Sequence, residues 1–565
     1  MSNVVQMLEK TQNSSFLPFF LFLFLFLLLL YKWLFTNSSK TRNLPPTPRN
    51  KLPIIGHLHK LGTRPHRSLQ SLSEQYGELM LIYLGSRPTV VVSSARIAKE
   101  ILKTNDAVFS NRPKFSIYDK LLYNSKDVSL SPYGEYWRQM KSIYVLQLLS
   151  NRRVRSFKGI REEETALLMG KIQENYNAQV LNNLSEMFVV FTNDVVCRVA
   201  FGRKFSENQK SGVVDFKEVL KEFVELLGLF NIGDFIPWLA WVNNINGLNV
   251  RLKKVAKRFD LILEEILMQH TDKLNQTGNS SDNEYENKVK DFVDILLEVQ
   301  KDNSTGFPLE RDSIKAQILD AFAAGTDTTY AVLEWAMTEL LKHPQVMEKL
   351  QNEVREIAGE KEHLREDDLE KMKYLKAVIK ETLRLHPPVP LLVPRESTHD
   401  LKINGYDISS RTLVFLNAWA IQRDPDIWEN PEIFYPERFL HSSIDFKGMD
   451  FELIPFGGGR RICPGISFAM ANNELVLANL MHKFNWILPD GVNSETLDMT
   501  ESIGLTIHRK TPLLALATPH CENKESGVVD FKELLKEFAE LLGEFNIGDI
   551  IPWLAWVNRY YGSMA

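Results

Sequence analysis

The sequence predicts a mainly α-helical protein with small β-sheets, attached to a membrane by a single N-terminal transmembrane helix. Three observations lead to this prediction. Long segments such as Ile314–Leu341 repeat apolar residues with the period of an α-helix. Two shorter segments, Leu79–Ser94 and the region around Ile403–Tyr406, have the composition and turn residues of β-hairpins. Phe16–Phe35 is almost entirely Leu or Phe and is long enough to cross a bilayer.

The apolar N-terminal segment is predicted to remain as a membrane anchor. A cleaved signal peptide is the alternative, but its short apolar core and small-residue cleavage site are not seen here. Basic residues are concentrated after the segment, from Lys32 to Lys51. Because positive residues next to a membrane span stay on the cytosolic side, we expect the body of the protein to lie in the cytosol.

A proline-rich stretch, Leu44–Pro48, follows the anchor and predicts a stiff extended spacer. The 565 residues are therefore expected to divide into four parts. These parts are a membrane anchor at 1–36, a proline-rich hinge at 37–53, a globular domain at 54–520, and a duplicated copy of 206–247 at 521–565.

The composition excludes some classes of protein. A net charge of −4 gives no electrostatic basis for binding nucleic acid. Cys197, Cys463 and Cys521 are the three cysteines, too few for a disulfide framework when one of them has a chemical role. A reducing compartment is therefore favoured.

The globular domain combines two predicted hairpins with several predicted helices. Apolar and β-branched runs flank Gly85-Ser-Arg-Pro88 in the first hairpin, and Asn404-Gly405 favours a tight turn in the second. Gln276–Asn287 is polar, without apolar periodicity, and is expected to be a surface loop. The helical periodicity is clearest in Asp215–Leu227, Val255–Leu274 and Ile314–Leu341.

One segment occurs twice. Ser211–Asn243 recurs as Ser526–Asn558, a separation too large for a solenoid repeat. The second copy is expected to be dispensable, because the first already completes the core; a helix lying in the membrane interface is the alternative. Four positions differ, and the pairs are Val219 and Leu534, Val224 and Ala539, Leu229 and Glu544, and Phe235 and Ile550.

The most informative feature is the loop Phe456–Gly465, whose sequence is Phe-Gly-Gly-Gly-Arg-Arg-Ile-Cys-Pro-Gly. Its glycines permit close approach of the backbone to a flat ligand. A lone thiolate, Cys463, beside an arginine suits a haem iron whose porphyrin carries carboxylates. Phe456, Gly459, Arg461, Cys463 and Gly465 together resemble the haem-binding signature of the cytochrome P-450 family.

A second motif, Ala324-Gly-Thr-Asp-Thr-Thr329, lies inside the predicted helix Ile314–Leu341. The two small residues leave room over a cofactor. Asp327 and Thr328 place an acid beside a hydroxyl, which suits the delivery of protons in a dry site. A Thr/Asp run is also typical of helix-end capping. Together with the cysteine loop, the motif resembles the oxygen-binding groove of the family.

Two further motifs are similar to supporting elements of the family. Glu381 and Arg384 lie at i and i+3 on one predicted helix face, and Arg438 lies in Pro436-Glu-Arg-Phe439. The resemblance implies that these three residues form a buried network supporting the haem side of the fold, with a structural role. It also implies that Trp137, Arg138 and Lys141 reach a haem propionate. His386 is followed by two prolines and is rejected as an iron ligand.

The resemblance extends from about Leu44 to about His520 and is strongest to the plant microsomal A-type branch. It implies the cytochrome P-450 fold and a haem b monooxygenase of secondary metabolism in the endoplasmic-reticulum membrane. Such an enzyme inserts one oxygen atom of O₂ into a small hydrophobic molecule. No Gly-x-Gly-x-x-Gly fingerprint follows a strand, so electrons are expected from a separate NADPH-cytochrome reductase.

Two alternatives remain open at this point. One is a haem-thiolate isomerase or dehydratase that does not use O₂, against which the Asp327–Thr328 pair argues. The other is a non-catalytic membrane scaffold. The resemblance implies an apolar substrate pocket, which fits a terpenoid, an aromatic amino-acid derivative or a fatty acyl chain. Its expected lining segments are Phe115–Asp127, Asp320–Ala324, Val389–Val393 and Ile503–Thr506.

Overall fold

The computed structural model describes residues 18–29, 42–204, 216–277, 289–302 and 308–520. Contacts divide the chain into one unit that ends at Thr518 and a second that begins at Pro519. Only the first two residues of the second unit are described. The duplicated segment at 521–565 therefore lies outside the described residues, and the predicted division into four parts stays a prediction.

Helices make up most of the first unit. Their starts follow local chemistry: Pro65 and Pro344 occupy the first helical position, where a missing N–H costs nothing. In chain order they are α1 Pro18–Leu29, α2 Pro65–Tyr76, α3 Ala95–Lys99, α4 Asp106–Phe109, α5 Ser116–Leu121, α6 Glu135–Ile143, α7 Asn151–Ser156, α8 Lys158–Asn177, α9 Leu184–Phe201, α10 Phe216–Leu227, α11 Ile232–Phe235, α12 Val242–Ile245, α13 Leu248–Thr277, α14 Phe292–Asp302, α15 Arg311–Lys342, α16 Pro344–Ala358, α17 Lys373–Leu385, α18 Ala418–Ile421 and α19 Ile466–Lys483.

The centre of the fold is α15, the longest helix described. It packs against α9, α17 and α19, and it is buried on almost all sides. This burial explains why apolar residues such as Ile314, Ile318 and Phe322 share the helix with buried polar ones such as Gln317. The apolar core of the helical part is continuous through these helices.

The strands form three small sheets. The largest has the order β1-β2-β7-β4, in which β2 and β7 are parallel and the other neighbours are antiparallel. The second has the order β3-β9-β8, and the third pairs β5 with β6. The strand bounds are β1 Leu79–Leu84, β2 Arg87–Val92, β3 Asn182–Asn183, β4 Arg395–Glu396, β5 Leu401–Ile403, β6 Tyr406–Ile408, β7 Leu413–Leu416, β8 Phe484–Ile487 and β9 Leu514–Pro519.

Both predicted hairpins are confirmed. β1 and β2 pair from Leu79 with Val92 to Leu84 with Arg87. The turn between them is therefore shorter than the segment Gly85–Pro88 from which it was predicted. β5 and β6 turn at Asn404 and Gly405, which both have positive φ as the tight turn requires.

The predicted long helices are also confirmed as α10, α13 and α15, each within a few residues except for the earlier start of α13. The sequence contains a signal for that start, because Leu248, Leu252 and Val255 have helical spacing and are all buried. α13 continues to Thr277, and the rest of the predicted surface loop 276–287 lies outside the described residues. The spacer Leu44–Pro48 contains no helix, and its Pro46 carbonyl accepts a hydrogen bond from Leu81 of β1 at 2.8 Å.

The described part of the predicted anchor is α1, a short apolar helix with exposed side chains. Among the described residues, no single helix combines the length and apolarity needed to cross a bilayer. Two consecutive helical segments, Glu218–Phe235 and Pro237–Ile245, reach that length and apolarity only when they are counted together. The chain bends by 115° between them.

Candidate functional site

The loop Phe456–Gly465 presents one cysteine sulfur from a tightly folded turn. The Cys463 N–H donates to the Phe456 carbonyl at 3.0 Å, and the Gly465 N–H donates to the Cys463 Sγ at 3.3 Å. α19 begins at the next residue, Ile466. Burial raises the pKa of the Cys463 thiol, while the Gly465 N–H and the charge of Lys141 lower it. A cation that binds this sulfur would therefore favour the thiolate form.

Glycine is required at one position of this loop by both conformation and space. Gly459 has φ of +66°, and a Cβ there would lie 2.1 Å from the carbonyl oxygen of Leu102. Leu102 belongs to a π-helical turn, Glu100–Thr104, that packs against the loop. The loop is thus held against the body of the fold by direct backbone contact, and any side chain at 459 would push it away.

Four buried or largely buried cations converge near this loop: Arg112, Lys141, Arg395 and Arg461. Lys141 Nζ donates to the Ile462 carbonyl at 2.7 Å, and Arg395 donates to the Gly458 carbonyl at 2.9 Å. Arg461 and Arg112 also donate to backbone carbonyls. Among the described residues, none of the four forms an ion pair with a carboxylate.

Burial is the main cause of the lowered pKa values in this cluster. Together with the charges of neighbouring arginines, it lowers the pKa of Lys141 to about 8 and that of Arg461 to about 9. Burial likewise lowers the pKa of Arg395 to about 10. Buried cations are expensive unless an anion accompanies them. The cluster therefore favours binding of a group that carries more than one negative charge.

Two carboxylates, Asp127 and Asp320, act on the cations of this cluster: both raise the pKa of Arg112, and Asp127 raises that of Arg461. Burial raises the pKa of Asp320 to about 6, although hydrogen bonds from Ser129 oppose the shift. Burial also raises the pKa of Asp127, whose Oδ1 has no hydrogen-bond partner among the described residues. Both acids hold backbone of the segment Asp127–Leu130 in place.

The side of α15 that carries the Ala-Gly-Thr-Asp motif lies open. Ala324 is exposed and Thr328 is half-buried, on a helix that is otherwise almost fully buried. The Thr328 hydroxyl donates to the Ala324 carbonyl at 2.7 Å. Burial raises the pKa of Asp327, and the hydroxyl of Thr506 and the charge of His508 counter the shift. The motif therefore offers an acid and a hydroxyl beside an open space lined by small residues.

Haem fits these residues. Haem b needs one axial donor, two partners for its carboxylates and an open volume on each face. Cys463 supplies the donor, the four cations supply the partners, and the small residues of α15 leave space. The Arg461 guanidinium lies 4.1 Å from the centre of the Trp137 ring, and Trp137 Nε1 donates to the Val128 carbonyl at 3.0 Å.

Glu381, Arg384 and Arg438 are brought together where α17 packs against the segment Pro436–Phe439, and α17 also packs against α19, the helix that follows the thiolate loop. Arg384 donates twice to Glu381, at 2.8 Å each, and Arg438 donates to it at 3.1 Å. Glu381 and Arg384 have no exposed surface. Arg384 also donates to the carbonyls of Gln422, Pro431 and Ile433, which ties two chain segments, at 422 and at 431–433, to α17.

The other residues considered in the sequence analysis differ in whether the structure places them at the cation cluster. Trp137 and Lys141 lie on the buried face of α6, whereas Arg138 lies on its exposed face, so the structure does not bring Arg138 into the cluster. Phe456 packs edge-on against Phe446, with ring centres 5.4 Å apart. His386 stacks on Trp335 and bonds Glu339 through Nε2 at 2.6 Å, which agrees with its rejection as a ligand.

Sequence reasoning missed Arg112, Arg395, Thr506 and His508. Arg395 directly follows the predicted lining segment Val389–Val393 and an intervening proline, which was a usable signal. Arg112 had no such signal in the sequence, because its role depends on packing against segments far along the chain. Thr506 was included only within a predicted lining segment.

The comparisons with known proteins agree with this geometry. A sequence model of the family described as Cytochrome P450 matches residues 45–515. "Cytochrome P450 736A117" of Prunus mume is 57% identical over 528 residues, covering 92% of this chain and 100% of that protein. "Tabersonine/lochnericine 19-hydroxylase" of Catharanthus roseus is 51% identical, covering 89% and 97%. A zebra fish cytochrome P450 structure with abiraterone matches with a TM-score of 0.67 and 25% identity, covering 82% of this chain and 100% of that one.

Proposed function

The chain belongs to the cytochrome P450 family and is a haem-thiolate monooxygenase, and from that premise we propose that it oxygenates a small apolar secondary metabolite. Cys463 would be the axial ligand, and the carboxylates of the haem would be held by Arg112, Lys141, Arg395 and Arg461. When bound, the haem supplies the iron at which O₂ is activated, and its thiolate ligand favours cleavage of the O–O bond.

The observation that carries the proposal is the position of Cys463 beside four cations that lack carboxylate partners. Asp327 and Thr328 would carry the protons that oxygen activation consumes, because they combine an acid of raised pKa with a hydroxyl at an open space. Glu381, Arg384 and Arg438 would act structurally, by fixing two chain segments against α17.

Several features support an apolar substrate. The segments proposed to line the pocket present apolar side chains such as Leu391, Leu392 and Ile503. Two relatives have names that describe hydroxylation, the one from Catharanthus roseus and a "3-beta-hydroxylase" from Tanacetum parthenium. A terpenoid, an aromatic amino-acid derivative or a fatty acyl compound remains the proposed substrate class.

We also propose residence in the endoplasmic-reticulum membrane, with electrons from an NADPH-cytochrome reductase. The apolar N-terminal sequence supports this location. Around α11 and α12, Trp238, Trp241 and Ile245 are more than half exposed, at 61%, 55% and 76%, which suits contact with lipid. The described chain shows no dinucleotide-binding strand–turn–helix of its own, so the reductase would be a separate protein.

Reconstitution tests the proposed function. The protein would be combined with an NADPH-cytochrome reductase in lipid vesicles and offered geraniol, cinnamic acid, lauric acid and tabersonine. We expect a reduced carbon-monoxide spectrum of the thiolate type and a product that requires both NADPH and O₂. Rearrangement of a fatty acyl hydroperoxide without NADPH or O₂, with no oxygenation of the four compounds, would instead indicate an isomerase or dehydratase.

Truncation tests the proposed division of the chain. A variant ending at His520 should keep the haem content, membrane association and turnover of the full chain if the second copy is dispensable. Loss of folding after truncation would show that 521–565 contributes to the body.

A further inference from the structure

A loop from Glu501 to Arg509 is attached along the open side of α15. Its ends are joined by an isolated antiparallel bridge between Glu501 and Arg509. The Arg509 N–H donates to Glu334 Oε2 at 2.9 Å, and the Trp335 indole donates to the Ile507 carbonyl at 3.1 Å. The register between this loop and α15 is therefore fixed by hydrogen bonds at Ile507 and at Arg509.

This register places two polar residues of the loop against the acid of the groove. Asp327 and Tyr330 are three residues apart and share one face of α15. The Thr506 hydroxyl hydrogen-bonds to the Asp327 carboxyl, and the charge of His508 acts on the same carboxyl. The His508 ring packs on Tyr330, with ring centres 5.3 Å apart. Thr506 is buried, whereas His508 is half-buried and can reach solvent.

Ser502 holds His508 through two contacts of its hydroxyl. The His508 backbone N–H donates to the Ser502 hydroxyl oxygen at 3.2 Å. The same oxygen lies 2.9 Å from His508 Nδ1 and has a second lone pair for a proton on that nitrogen. With Nδ1 engaged by Ser502, Nε2 is the nitrogen left to exchange a proton. A histidine held in this way can take up a proton at Nε2 and release it again.

We propose that His508 returns protons from solvent to Asp327, with Ser502 and Thr506 as positioning residues for the two groups. This inference rests on the proposed role of Asp327 and Thr328 in proton delivery. His508 would recharge the acid between turnovers.

Each proton that is released in this step is replaced. Asp327 releases its carboxyl proton to the Thr328 side of the groove and becomes a carboxylate. His508 in its imidazolium form gives its Nε2 proton to that carboxylate across a bridging water and becomes the neutral imidazole, and Nε2 then regains a proton from bulk water at the exposed edge of the ring. No electrons move in this step, because NADPH supplies the electrons through the reductase, and the protons end in the water formed from O₂.

A double-mutant cycle tests the inference. The reconstituted full-length protein would carry His508→Gln, Asp327→Asn or both, and the substrate would be whichever of geraniol, cinnamic acid, lauric acid and tabersonine gives the largest spectral shift. Product per NADPH, peroxide release and the solvent isotope effect would be measured. Tyr330→Phe is the matched control, because it keeps the ring beneath His508 and removes only a hydroxyl.

We expect His508→Gln to lower product per NADPH by roughly fivefold or more, with more peroxide and a larger solvent isotope effect. The carbon-monoxide spectrum and substrate affinity should stay within about twofold of wild type. In the Asp327→Asn background, the same substitution should have no further effect, since both residues act in one chain of transfer. Tyr330→Phe should behave as wild type.

Two results would overturn the inference. One is unchanged coupling in His508→Gln, and the other is a loss that multiplies with that of Asp327→Asn, as a purely structural contact would give. If His508→Gln does not incorporate haem, Ser502→Ala replaces it, because this variant keeps the imidazole and removes only the contacts of the Ser502 hydroxyl; unchanged coupling there would also overturn the inference. A wild-type protein that forms no product with NADPH and O₂ would contradict the proposed function itself.

Discussion

The two sides of the proposed haem site are built differently. On the thiolate side, the Phe456–Gly465 loop and the network of Glu381, Arg384 and Arg438 are held by backbone contacts and buried ion pairs. On the groove side, α15 presents small residues, and the tip of the Glu501–Arg509 loop exposes Ile503 to 74%.

This difference matches what each side is proposed to do. Buried ion pairs and carbonyl contacts restrict geometry strongly, because breaking any one leaves a buried charge or polar group unpaired. Apolar and small residues impose far weaker directional limits. The thiolate side is thus suited to hold one cofactor in one position, and the groove side is suited to accept substrates of varied shape.

The largest effect is expected from removing the proposed ligand. Cys463→Ala should abolish the thiolate-type carbon-monoxide spectrum, because within the part of the chain that the structure describes no other cysteine lies at the cation cluster. Cys197→Ala is the matched control, since Cys197 is buried in the core of α9 and should leave the spectrum unchanged. A thiolate-type band in Cys463→Ala would show that the ligand lies elsewhere.

The next effect tests whether the thiolate side depends on its buried network. Glu381→Gln leaves Arg384 without its ion partner in a fully buried site, and we expect a loss of about 3–5 kcal/mol in the free energy of unfolding. Urea denaturation followed by haem absorbance would measure it. Glu174→Gln breaks a pair in which both side chains are mostly exposed, and it should cost less than about 1 kcal/mol. Similar costs for the two variants would contradict the comparison.

The cation cluster gives a smaller expected effect. Lys141→Met should weaken haem retention about tenfold, because a hydrogen bond to a charged group contributes about 1.5–3 kcal/mol. The rate of haem transfer to apomyoglobin would measure the retention. Arg138→Met on the exposed face of the same helix should change it little. An equal loss in Arg138→Met would instead support the sequence-based assignment of Arg138 to the propionates.

On the groove side, the expected defect lies in coupling and leaves haem binding intact. Thr328→Ala should keep the carbon-monoxide spectrum and lower product per NADPH roughly tenfold, because a proton donor is lost. Peroxide and product would be quantified together. Thr329→Val is the control, since the Thr329 hydroxyl is buried and has no hydrogen-bond partner among the described residues. Normal coupling in Thr328→Ala would remove Thr328 from the proposed relay.

The smallest effect is expected outside both sides and gives a baseline for the comparison. Burial lowers the pKa of His270, but its 3.0 Å contact with Asp291 outweighs this, and the pKa is raised above 6.5. The ion pair therefore stabilises the fold fully below about pH 6.5, and this contribution is lost as pH rises through the raised pKa. Urea midpoints across this range should fall less with pH in His270→Gln than in wild type; equal slopes would contradict the assignment.

Much of the site could be predicted from local sequence. The cysteine loop and the acid–hydroxyl motif are short segments whose residue types carry their chemistry, so adjacency along the chain was enough to identify them. The pairing of Glu381 with Arg384 was similarly accessible, because the spacing of three residues places both on one helix face. The contact from Arg438 required the resemblance as well as the spacing.

Arg138 shows where local reasoning fails. It is adjacent to Trp137 in the sequence, but one residue along a helix turns the side chain by about 100°, which places Arg138 on the exposed face. Adjacency to Trp137 could therefore not decide whether Arg138 joins the cation cluster. The packing of α6 decides it, because packing fixes which side of the helix faces the cluster.

The sequence by itself determined the helical class, the two hairpins and the identity of the thiolate loop, because periodicity and backbone chemistry are local properties. Only the tertiary structure decided that Arg112 and Arg395 join Lys141 and Arg461, and that Thr506 and His508 lie against Asp327. These groups come from segments far apart in the chain. Their charges and hydrogen bonds act over a few ångströms, so they become partners only after the helices and loops between them have packed.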